Sequence, residues 1–104
     1  MRKITQDAIQ AFTNRTNFKR GNTQVKTLFV QNQEEEGLMS FLLLHGNLIA
    51  RSDLDGNLFI CNCGYRTVTT KERLNGFPNV KIIQKNFQWF LNGKAWSGVE
   101  TKVE

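Results

Sequence analysis

The sequence predicts an α+β fold with a mostly antiparallel sheet, an N-terminal helix and a short second helix, in the order α-β-β-β-β-α-β-β-β. Three observations carry this. Ala8, Ile9, Ala11 and Phe12 form an apolar stripe at helical spacing near the start of the chain. Runs rich in β-branched, aromatic and long apolar residues then follow one another across short turns of Gly, Asn and Asp. One brief helical signal, "TTKERLNG", interrupts them at Thr69 to Gly76. A chain of 104 residues is expected to make one domain, residues 1–104, with a single modest core.

For the first helix, Thr5 reads as the N-cap, Asp7 complements the positive helix end, and Ile4 can staple onto Ile9. Gly21 reads as its stop. "TQVKTLFV", Thr23 to Val30, is rich in β-formers, and "QNQEEEG" is a solvated loop. "LMSFLLLHGNLIARSD" reads as two strands around a tight turn at His45-Gly46-Asn47. Asp55-Gly56 turns the chain into "NLFIC".

In the second helix, Thr69 and Glu72 fit a capping box, Gly76 and Pro78 end the element, and Leu74 is the anchor. "NVKIIQ" and "FQWFL" pair across Lys85-Asn86, and Asn92-Gly93 leads into "KAW". On this reading Phe87, Trp89 and Leu91 share a strand face, and Phe12, Leu43, Ile60, Leu74, Ile82 and Trp89 form the core.

Net charge is +5, and its placement is uneven. Residues 1–33 carry +5, Glu34 to Glu36 carry −3, residues 37–63 carry −1 and residues 64–104 carry +4. Two basic ends around an acidic middle suit a nucleic acid or an acidic protein surface, although an ordinary solvated surface has the same balance. The charged start "MRKITQDAIQ" is unlike a signal peptide, and the longest apolar run, Phe41 to Leu44, is far too short to span a membrane. A cytoplasmic protein with free thiols at Cys61 and Cys63 is expected.

Candidate chemistry is sparse. Cys61, Cys63 and His45 supply one ligand too few for a tetrahedral zinc site. His45, the only histidine, sits at a turn without an evident nucleophile or carboxylate. "SDLDGN" lacks the later ligands of a calcium loop. No catalytic residue, metal or cofactor is therefore expected, and the chain reads as a binder rather than an enzyme. Its candidate surface combines Lys19, Arg20, Arg66, Lys71, Arg73, Lys81, Lys85 and Lys94 with Tyr65, Phe90 and Trp96. At the second helix the basic side chains would flank an N-terminus whose amides the capping box already satisfies, so punctuation is favoured over phosphate binding.

"LHGNLIA", "TTKERLNG" and "WFLNGKAWSG" together resemble small accessory proteins of tailed bacteriophages, which share an HGN-x-IA turn, a TTKERLN helix and a W-x-LNGK-x-W-x-G hairpin. The similarity runs from about Leu44 to Gly98, with an echo in "KITQDAIQAF". "CNCGY" departs from the pattern, which has small or polar residues in place of the cysteines. The resemblance implies a protein of the bacterial host cytoplasm that binds a host or defence protein, or a nucleoprotein, and inhibits or redirects it. The alternative is a basic nucleic-acid-binding protein with only weak affinity at physiological salt.

Overall fold

The computed structural model describes residues 2–103, and the architecture is α+β as the sequence predicts. Helix α1 spans Lys3–Asn14, and its buried face is Thr5, Ala8, Ile9, Ala11 and Phe12. Its N-cap is Arg2, three residues before the expected cap, with no side-chain cap bond. Thr5 instead lies fully buried, and its hydroxyl donates to Glu72. The helix ends at Arg15, whose left-handed φ of 58° lets its N–H reach Ala11 and Phe12 carbonyls. Gly21, the expected stop, serves a tight strand-to-strand turn instead.

Five strands then form a meander: β1 (Phe18–Arg20), β2 (Thr23–Gln31), β3 (Glu36–Leu44), β4 (Asn47–Ser52) and β5 (Leu58–Ile60). The expected loop before β3 is shorter than "QNQEEEG", because Gln31 and Glu36 already pair. The Asn32 side chain accepts from the Glu34 and Glu35 amides and so closes that hairpin. His45-Gly46 forms the next turn, with φ of 52° and 79°, matching the primed turn that strand twist favours. A late strand, β9 (Thr101–Val103), pairs with β5 and completes a six-stranded antiparallel sheet of order β1-β2-β3-β4-β5-β9.

Between β5 and β9 lie α2 (Val68–Leu74) and a three-stranded antiparallel sheet of β6 (Ile82–Lys85), β7 (Gln88–Leu91) and β8 (Lys94–Ala95). Thr67, not Thr69, caps α2: its hydroxyl accepts from the Thr70 amide at 3.1 Å. The capping box is not made, because Glu72 turns to Thr5 and Arg73. Gly76 follows, where an added Cβ would lie 2.7 Å from Thr5 and 2.8 Å from Ile9. It is small because α1 crosses there. The β6–β7 turn falls at Asn86-Phe87, one residue later than expected, so Phe87 leaves the strand and is 88% exposed.

One apolar cluster joins both helices and both sheets. Phe12 meets Phe77 edge-on at 5.0 Å between ring centroids, and Trp89 and Trp96 lie 6.2 Å apart. Phe12, Ile60, Leu74, Ile82 and Trp89 are buried as expected. Leu43 is only half-buried, because Leu42 and Leu44 take the inward positions on β3. No helix among the described residues is long and apolar enough to cross a membrane.

Candidate binding surface

The eleven residues expected to form a surface are not brought together. Arg73 is 2% exposed, held by Thr5 and Thr23 at 2.9 Å and by Glu72. Trp96 is also buried, and its indole N–H donates to Thr101 Oγ1 at 2.8 Å. Both are removed from the candidate surface: one completes a polar core, the other anchors the chain before β9. Arg20 turns to the helix side of the sheet and pairs with Asp7 at 2.8 Å, holding that carboxyl below its ordinary range. Lys19 points to the opposite face.

A second group surrounds the small sheet. Arg66 and Lys71 each lie 5.8 Å over the Trp89 ring, and Lys71 donates to Gln84 Oε1 at 2.9 Å. Tyr65 is exposed, Phe90 is half-buried, and Lys81, Lys85 and Lys94 are exposed along the strands. These cations and aromatics roof or rim the small sheet. Ile83 and Phe90 pair on its outer face.

Cys61 donates its thiol to the Leu48 carbonyl at 3.2 Å, and burial raises its pKa. Cys63 is exposed, and both are free thiols. Among the described residues no three His, Cys, Asp or Glu side chains converge. A cleft of about 310 Å³ lies between α2 and the β3–β4 turn, lined by Leu44, His45, Asn47, Ile49, Tyr65 and three threonines. It holds hydroxyls and an imidazole but no carboxylate.

The larger feature is a face that the sequence reading did not assemble. Val25, Leu42, Ala50 and Ile60 stand opposite one another across β2 to β5, and all are buried under α1 and α2. The neighbouring row, one residue along each strand, must point the other way. It reads Lys26, Phe41, Arg51, Phe59 and Lys102. Cations alternate with aromatics across five strands. Leu28, Met39, Leu43 and Leu48 lie on the same side, and Leu28 is 54% exposed. A solvated sheet face ordinarily carries polar residues, so these apolar ones mark a surface made for contact.

The centre of this face is ordered by charge. The Arg51 guanidinium sits 4.1 Å over the Phe59 ring and bonds Glu100 at 2.7 Å. That bond raises the Arg51 pKa and lowers that of Glu100. Arg51 is thus neutralised by its neighbour, while Lys19, Lys26 and Lys102 are in no ion pair among the described residues. Alternation within each strand was visible in the sequence. The row was not, because it depends on the register of four strand pairs and on a bulge between β3 and β4.

The family model described as Kyanoviridae Gp96 protein matches residues 1–103 of this chain. No curated protein and no solved structure matches it.

Proposed function

The chain belongs to the Kyanoviridae Gp96 protein family, a phage family, and on that premise we propose that it is a non-enzymatic accessory protein. It acts by stoichiometric binding to a macromolecule of the host or of its defences, in the host cytoplasm, and so inhibits or redirects it. One observation supports this above the others. The uncovered face of the six-stranded sheet carries exposed Leu28 and half-buried Phe41, Phe59 and Met39 among cations, where a face meant only for water would be polar. Binding through such a face needs neither cofactor nor metal.

The test uses the immobilised protein and host lysate. The wild type is expected to retain a macromolecule in near-equal molar amount. A Phe41→Thr, Phe59→Thr double variant, confirmed as folded by circular dichroism, is expected to lose it. Equal recovery by both proteins would remove this face from the function.

A further inference from the structure

We propose that the ligand of this face is single-stranded DNA, lying across the strands along the row Lys26, Phe41, Arg51, Phe59 and Lys102. The inference rests on the reading of the open face as the binding surface and names its partner.

Four interstrand steps separate Lys26 from Lys102, a distance of roughly 19 Å at the usual strand spacing. That length suits a site of about four nucleotides, the low end for sheet-faced single-strand binders. Phe41 and Phe59 stand two strands apart and offer rings to which unpaired bases can stack. The Arg51 plane, already stacked on Phe59, extends that platform. Its charge is spent on Glu100, so it acts by stacking rather than by phosphate attraction.

Phosphate attraction falls to the lysines at the margins. Lys26 and Lys102 end the row, and Lys19 stands beyond it on β1. Beside Lys26 the surface forms a groove of about 520 Å³, lined by Lys19, Gln24, Lys26 and Leu28 among others. Exposed Glu34, Glu35 and Glu36 lie at the far end of the β2–β3 hairpin and repel a phosphate backbone there. The strand is thereby directed across the sheet and not along it.

Two features choose among nucleic acids. A duplex hides its base faces, so Phe41 and Phe59 have nothing to stack on. The apolar neighbours Leu28, Met39, Leu43 and Leu48 offer no hydrogen-bond partner to a ribose 2′-hydroxyl, and desolvating that group costs affinity. DNA is therefore favoured over RNA.

Fluorescence anisotropy with labelled oligo-dT, oligo-U of the same length and a matched duplex tests this on the intact protein. The single-stranded DNA is expected to bind tightest. Three phosphate contacts give a log–log salt slope of about −2 on a single strand. Phe41→Thr and Phe59→Thr are each expected to weaken binding about ten-fold through lost stacking. Lys26→Glu and Lys102→Glu flatten the salt slope. Lys85→Glu on the small sheet changes neither quantity. Tighter binding of duplex or of RNA, or no binding by the folded wild type, overturns the proposal. If a nuclease-treated lysate still yields a protein that the double phenylalanine variant loses, the face stands as the binding surface and DNA falls as its ligand. If that capture also fails, both readings fall together.

Discussion

Arg73 shows how far a single side chain can depart from its apparent role. Its place in "TTKERLNG" suggests an exposed cation beside Lys71, yet it threads between α1, α2 and β2 and bonds Thr5, Thr23 and Glu72. Those partners lie up to 68 residues away, so nothing local in the sequence announces them. Arg73→Met is expected to lower unfolding free energy by about 3 kcal/mol, because it removes the buried cation that Glu72, Thr5 and Thr23 share. A urea midpoint near that of the wild type would refute this. Arg73→Lys also destabilises, since a single ammonium nitrogen cannot reach acceptors that the guanidinium meets from both Nε and Nη1. Charges nearer the surface behave differently. Asp7, Asp53 and Glu100 have lowered pKa values, caused first by hydrogen bonds from Arg20, Asn57 and Arg51 respectively. Their stabilising contribution is complete above the ordinary carboxylate range and is lost as pH falls through the lowered values. Melting temperature is therefore expected to hold level down to roughly pH 5 and then decline. Glu100→Gln makes that decline shallower with little effect at neutral pH, as expected of a partly exposed pair.

At the scale of elements, the features set by residues with strong backbone preferences are legible in the sequence. The His45-Gly46 and Asn92-Gly93 turns, the long strands and the existence of both helices follow from residue types with known backbone preferences. The α2 cap is not legible locally because Thr67, Thr69 and Thr70 compete for it, and the α1 cap falls at Arg2 because packing draws Thr5 to Glu72 and Arg73. Thr67→Ala is expected to cost about 1 kcal/mol, and Thr69→Ala much less, since only Thr67 accepts from a helix amide. The reverse order in thermal melts would restore the capping box. The β6–β7 turn was missed by one residue because Phe87 occupies a left-handed conformation, with φ of 65°, that its residue type disfavours. Phe87→Gly is therefore expected to stabilise the fold by about 1 kcal/mol. A loss of stability would mean that the exposed ring makes contacts that outweigh its backbone strain. Strands β1 and β9 have no signature in the sequence. Each is three residues long, too short for a period, and β9 is defined only by its distant partner.

For the whole molecule, a shared core implies shared unfolding. Trp89 reports on the small sheet and Trp96 on its junction with β9, while far-ultraviolet circular dichroism reports on the helices and both sheets together. Their denaturation midpoints are expected to coincide, because one apolar cluster spans both sheets. Separate midpoints would divide the chain into two cooperative units. The sequence made the α+β class and most of this core legible, because periodicity and turn chemistry are local. The open face was illegible as a unit, since its five aligned residues come from five strands. The same long-range closure sets an order of events. Strands β1 to β4 pair with their immediate successors, so the meander from β1 to β5 can zip together as it leaves the ribosome. The β5 edge, however, waits until residues 61–100 have been made and β9 arrives to cover it. Until then Leu58 to Ile60 present unpaired backbone, so the nascent chain passes through a stage at which a foreign strand can occupy that edge. Slow translation of the α2 to β8 segment would lengthen this interval, and the yield of native protein would then depend on elongation rate as well as on the stability of the finished fold.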